Sequence, residues 1–167
     1  MDHNYSDKKG EYKKFYSIII AIVLTSGLMT ILHDGGITYF MRMTIGVFFL
    51  VFSLFKIFNL KNFVPAYQQY DILAKRSIIY AYVYPFIELL LAFGYLMIGF
   101  GIGLHLTTAI LMVISSIGIF KAMKEPDHTI MCACLGTFIK LPVTKITLVE
   151  DLAMSTMALL MIIIEII

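Results

Sequence analysis

Two cysteines separated by one residue are the part of this chain whose spacing most directly suggests chemistry. Cys132 and Cys134 flank Ala133, and the sequence has no other cysteine. Two thiols this close can form a small, strained disulfide that is easily reduced. As paired thiolates they can instead hold a soft metal ion such as Cu(I), Zn or Hg. The third interpretation is that both cysteines pack as small apolar side chains.

His128 lies four residues before Cys132. At that distance it could be a third ligand for a metal ion, or a base that lowers the pKa of a thiol. A histidine in a loop can also be solvated and have no role. Two hypotheses about function therefore stay open here: a redox site formed by Cys132 and Cys134, and a metal site formed by Cys132, Cys134 and His128.

Glu88 is an ionisable residue near the middle of a long apolar run, and Pro85 lies three residues before it. An ionised carboxylate at that depth in a membrane is costly, which makes Glu88 a candidate functional residue. We expect Glu88 to face the interior of the bundle and to carry a proton at neutral pH. It could then transfer protons or donate a hydrogen bond to a quinone. The alternative is a neutral acid that only links two helices.

Five apolar runs must position these residues. Each is close to the ~20 residues that a helix needs to cross a bilayer, and they lie at roughly 15–32, 38–57, 78–98, 100–121 and 147–167. An apolar content of 60% and a mean hydropathy of +0.89 exceed what a soluble core requires, and no motif for nucleic acid is present. The sequence predicts an all-α membrane protein with a polar tail at 1–14 and one transmembrane domain at 15–167.

The basic residues lie in alternate gaps between these runs. Apart from Arg42, every Lys and Arg lies in the N-terminal tail or in or beside the second and fourth gaps. Basic residues stay on the cytoplasmic side during insertion. The pattern predicts an N-terminus inside and a C-terminus outside, in a membrane that we expect to be the bacterial inner membrane.

The second gap has a helical pattern of its own. Tyr67 and Tyr70 recur at helical spacing after Pro65, a residue that suits a first helical turn, and Asp71 falls on the opposite, polar face. This pattern predicts a short helix on the cytoplasmic surface.

Two stretches together resemble a known family. The segment from Lys56 to Leu96 is similar to the core of the MauE/DoxX membrane proteins, with matching positions at Lys56, Phe63, Tyr70, Pro85 and Glu88. The second stretch, Cys132 to Gly136 followed by Glu150 and Asp151, resembles the Cys-x-Cys-x-Gly segment and later acid of the MauE branch. The resemblance covers about 40–167 and implies a four-helix bundle, to which the first run adds a further N-terminal helix.

The resemblance also implies a function. It points to a shape related to redox membrane proteins of the vitamin K epoxide reductase and DsbB type, and to thiol–disulfide or electron transfer that supports maturation of other proteins. MauE itself is linked to methylamine utilisation. A thioredoxin-like or other redox protein would be the partner, besides the lipid bilayer. The resemblance does not decide whether the chain is itself an enzyme.

The chain departs from those reductases because it lacks a second cysteine pair. The charge pattern also places Cys132 and Cys134 on the cytoplasmic side, whereas oxidative maturation takes place outside. Three explanations remain: the cysteine segment dips into the bundle, the pair accepts electrons from inside, or the site binds a heavy metal. A bundle that only scaffolds a partner is the non-catalytic alternative.

Overall fold

The computed structural model describes residues 3–98, 101–124 and 145–166. In chain order its helices are α1 (His3–Leu32), α2 (Ile37–Phe58), α3 (Leu60–Gln68), α4 (Ile78–Phe93), a π-helical turn (Gly94–Ile98) that continues α4, α5 (Ile102–Lys124) and α6 (Lys145–Ile166). Across these ranges the helices are joined by turns, without any strand. The predicted all-α class is confirmed.

Four helical segments in the described ranges are long and apolar enough to cross a membrane: Tyr12–Leu32, Ile37–Phe58, Ile78–Met97 and Ile102–Lys124. They coincide with the first four predicted runs. Four helices of this length and apolarity are characteristic of a multi-pass membrane protein. The fifth run is also helical, since α6 has 22 residues and a length of ~33 Å at 1.5 Å per residue. It carries three acidic residues, and its crossing of the membrane stays a prediction.

Buried side chains recur at helical spacing along each helix of the bundle, because a period of 3.6 residues returns every third or fourth side chain to the same face. The buried stripes are Ile45, Phe49, Phe52 and Lys56 on α2; Ala81, Tyr84, Glu88 and Leu91 on α4; His105, Thr108, Met112 and Ser115 on α5; and Asp151, Met154, Ala158 and Met161 on α6. Polar residues therefore enter the interior because they continue an otherwise apolar stripe.

An apolar core fills the middle of the bundle. It is formed where α2 packs against α4 and α5 packs against α6, with α1 lying along α2. Its members include Phe48, Phe49, Leu91, Met112 and Met154. The polar members of the stripes lie beyond this core towards either end, so that the helices carry one polar cluster at each end of an apolar layer.

The short helix α3 differs from its prediction. It begins at Leu60, so Pro65 lies inside the helix and not in its first turn. Phe63, Val64 and Tyr67 are buried, and they form a second apolar cluster together with Ala81 of α4 and residues of α5. This segment is therefore part of the bundle, because one face of α3 completes its core, and its place at the cytoplasmic surface of the membrane stays a prediction.

The turn after α3 comes unusually close to α5. A Cβ atom on Gly118 would lie 2.9 Å from the carbonyl oxygen of Tyr70 and 3.2 Å from the Cα atom of Asp71. Both are backbone atoms, which have no rotamer by which to move away. The absence of a side chain at Gly118 therefore allows this turn to pack directly on α5.

Candidate functional site

Lys56 and Glu88 form a buried ion pair between α2 and α4. The Lys56 Nζ atom lies 2.6 and 2.7 Å from the two carboxylate oxygens of Glu88, and both side chains are buried. The predicted inward orientation of Glu88 is confirmed. Glu88 does not have to be protonated to lie in the interior, because the Lys56 ammonium supplies a counter-charge that the sequence argument did not include.

Aromatic rings surround the Lys56 ammonium group. Its Nζ atom lies 5.0 Å from the ring centre of Tyr84 and 5.7 Å from that of Phe63, within the range of cation–π attraction. Tyr67 packs against both rings, with centroids 4.5 Å from Tyr84 and 5.0 Å from Phe63. These rings lower the polarity around the ion pair and so strengthen the attraction between its charges.

Asp71 begins the turn that follows α3, and its side chain is fully buried. Its Oδ1 atom accepts hydrogen bonds from the backbone N–H groups of Leu73 and Ala74, at 2.9 and 2.8 Å. Burial raises the pKa of Asp71 above its usual range, although these two donors act in the opposite direction. Burial also raises the pKa of Tyr67. The expected solvent-facing position of Asp71 is wrong.

A small cavity lies beside the ion pair. It encloses about 20 Å³ that the centre of a water molecule can reach, which is room for about one water molecule. Polar side chains from five helices and the turn after α3 line it: Lys56, Tyr67, Tyr70, Tyr84, Glu88, Ser115, Glu150 and Asp151. Acidic groups outnumber the single Lys, so the cavity has an excess of potential negative charge.

A second polar cluster lies at the opposite end of the bundle. The Nδ1 atom of His105 lies 2.9 Å from the hydroxyl oxygen of Tyr95, a residue of the π-helical turn. The Nε2 atom of His105 lies 3.6 Å from Oε1 of Glu165, and the same oxygen accepts a hydrogen bond from the Gly101 N–H at 2.9 Å. This cluster ties the C-terminal end of α6 to the turn between α4 and α5.

The predicted thiol and metal residues Cys132, Cys134 and His128 lie outside the described residues. The chain leaves α5 at Lys124 and enters α6 at Lys145, the ends of those helices nearest the Lys56–Glu88 pair. Within the described ranges, no group of three or more His, Cys, Asp or Glu side chains is placed to hold a metal ion.

Four of the positions in the first stretch of the family resemblance meet in one region. Lys56 and Glu88 form the ion pair, Phe63 packs beside it, and Tyr70 lines the cavity. The sequence argument did not assign Tyr67, Asp71 or Ser115 to this site. Extending the apolar stripe of α5 by one turn beyond Met112 would have placed Ser115 in the interior.

Comparison with known proteins identifies one family. The model of one family, described as methylamine utilisation protein MauE, matches residues 34–164. The match covers most of the chain. It includes the cysteine pair and the residues of both polar clusters, apart from Glu165. No curated protein and no solved structure gives a significant match.

Proposed function

We propose that this chain, which belongs to the MauE family, exchanges electrons with a partner protein through Cys132 and Cys134. The description of the family, methylamine utilisation protein MauE, supports a role in methylamine utilisation, and the proposed electron exchange would serve the maturation of other proteins. The observation that carries the proposal is that one family match includes the cysteine pair and the buried polar site together.

The topology of the bundle supports a link between the two. Ser115 precedes the end of α5 by nine residues, and Asp151 follows the start of α6 by six residues. At 1.5 Å per residue, the cavity lies roughly 10 Å from the points where the cysteine segment joins the bundle. Thiol–disulfide exchange needs groups that take up and release protons, and the carboxyl groups beside the cavity can do so.

The proposed reaction is a two-electron exchange. A thiolate from the cysteine pair attacks a disulfide sulfur of the partner, and the other sulfur of the partner leaves as a thiolate. The second cysteine of the chain then attacks the mixed disulfide and releases the reduced partner. The chain ends as the Cys132–Cys134 disulfide, and two electrons have passed to the partner. The reverse sequence reduces the chain, and a thioredoxin-like protein has the chemistry for either direction.

Single substitutions test this proposal. Cys132→Ser and Cys134→Ser each leave one thiol that can form a mixed disulfide but cannot resolve it. We expect at least one of them to accumulate a covalent adduct with a partner protein in cells, visible on non-reducing gels and lost on reduction. The double variant Cys132→Ser/Cys134→Ser is the matched control and should form no adduct.

Two outcomes would reject thiol exchange. One is the absence of adducts from both single variants, with thiols that stay reduced in the wild-type protein under oxidising conditions. The other is a reduced protein that purifies with Cu(I), Zn or Hg and loses the ion in His128→Ala, which would support the metal site.

A further inference from the structure

Asp151 is a buried acid on α6 that lines the cavity and, like Asp71 and Glu150, has one enclosed carboxyl oxygen without a hydrogen-bond partner among the described residues. It is 8% exposed and begins the buried stripe of α6. Its Oδ2 atom is enclosed and has no hydrogen-bond partner among the described residues. The Asp151 side chain also lines the cavity, together with Ser115 of α5.

Two neighbouring carboxyl groups are compensated by other groups. Both oxygens of Glu88 contact the Lys56 ammonium, and one oxygen of Asp71 accepts two backbone N–H groups. Among the side chains whose burial the structure describes, Lys56 is the one buried Lys or Arg. The Ser115 hydroxyl is a hydrogen-bond partner of Asp151, but Asp151 has no cation of its own, because the Lys56 ammonium already binds Glu88.

The groups around Asp151 make its ionised form more costly still. Glu150, the adjacent residue, adds a second carboxyl group to the cavity. The titratable groups that face Asp151 come from α2, α3 and the turn after it, α4 and α6, while α5 contributes the hydroxyl of Ser115; these groups are Lys56, Tyr67, Tyr70, Asp71, Tyr84, Glu88 and Glu150. Most of these groups are neutral or negative. A buried carboxylate without a paired cation is unstable and becomes neutral by binding a proton.

We propose that Asp151 is a proton-binding site within the bundle, which holds a proton at neutral pH and exchanges it with water through the adjacent cavity. Glu150 is only partly buried and lies between Asp151 and the start of α6, so it is placed to pass the proton to solvent. This site goes beyond the thiol exchange proposed above and does not require the cysteines.

Infrared difference spectroscopy of the full-length protein in lipid can test the site directly. A protonated carboxyl group has a carbonyl stretching band that shifts in D₂O and disappears when the group ionises. We expect carbonyl absorption at pH 7 with one component that is lost in Asp151→Asn and retained in Glu150→Gln; any component that Glu150 itself contributes is identified by its loss in Glu150→Gln. We also expect Ser115→Ala to shift the band, because it removes the hydroxyl group beside the carboxyl.

Additional variants keep the test decisive. If Asp151→Asn fails to fold, Asp151→Glu is the variant to use instead. It keeps a carboxyl group and should retain the carbonyl band at a shifted frequency. The double Cys132→Ser/Cys134→Ser variant should keep the band unchanged, which separates this inference from thiol exchange. A spectrum in which no carbonyl band depends on residue 151 would overturn the inference. So would an Asp151 that is ionised at pH 7 and becomes protonated only after Na⁺ and K⁺ are removed, which would indicate a metal-cation site.

Discussion

The Lys56–Glu88 pair is the contact on which the interior polar site most depends. An ion pair contributes little net stability when it is buried, since both charges lose their hydration. Removing one partner is a different matter, because the other charge is left in the interior with nothing to compensate it. The pair is thus better understood as a constraint that fixes how α2 and α4 face each other.

We expect Glu88→Gln to reduce the free energy of unfolding by about 3–5 kcal/mol, because it leaves the Lys56 ammonium without a counter-charge. Thermal or denaturant unfolding in a mild detergent would measure this loss. The double variant Lys56→Met/Glu88→Gln removes both charges and should recover most of it. Equal stability of Glu88→Gln and wild type would show that the ion pair does not form.

Sequence reasoning predicted one partner of this pair and missed its connection to the other. Glu88 was expected to face inward because of its depth in an apolar run. Lys56 was counted with the basic residues that retain a loop in the cytoplasm, and that reasoning gave no cause to place its side chain inside. Periodicity reveals the buried face of one helix, but not which residue of another helix lies opposite.

At the scale of the elements, the packing of α3 and the following turn against the bundle depends on Gly118 of α5. The turn carries Asp71 and positions Tyr70 at the cavity, while α3 supplies the rings around Lys56. Gly118 allows their close approach to α5. The sequence gives no indication of this contact, because hydrophobic periodicity does not show which backbone approaches a glycine.

Gly118→Ala should therefore destabilise the protein although alanine favours helices. The added methyl group would contact the backbone of Tyr70 and Asp71, and we expect a loss of about 1–3 kcal/mol, typical of overpacking. Gly103→Ala is the matched control on the same helix, because a Cβ atom there meets no atom within 4 Å. Thermal unfolding of the two variants side by side would measure the difference. A Gly118→Ala protein as stable as Gly103→Ala would contradict the close packing.

At the scale of the whole molecule, hydropathy predicted the spans well because the length of an apolar helix is fixed by the thickness of the bilayer. The first four runs correspond to four helices of sufficient length and apolarity. The fifth was harder to judge, since acidic residues lie near both ends of α6. All three, Glu150, Asp151 and Glu165, take part in the polar clusters, which explains their presence in an otherwise apolar helix.

The charge pattern predicts that α6 crosses the membrane and ends outside. Reporter fusions after Ile167 and within the Gly35–Gly36 turn should both report an external location, while a fusion at the N-terminus should report the cytoplasm. An external turn with a cytoplasmic C-terminus would mean that one of the later helices does not cross, and α6 would be the first to re-examine.

The apolar layer between the two polar clusters has a consequence for the pH gradient across the membrane. Along α5, Ala109 and Met112 separate Thr108 from Ser115 on the buried stripe, a distance of roughly 10 Å. The titratable groups at the two ends are therefore not in hydrogen-bonding contact through this helix face. Such a bundle can load and unload protons at one end and still act as an insulator. Vesicles that contain it should hold a pH gradient as long as vesicles of the same lipid without protein.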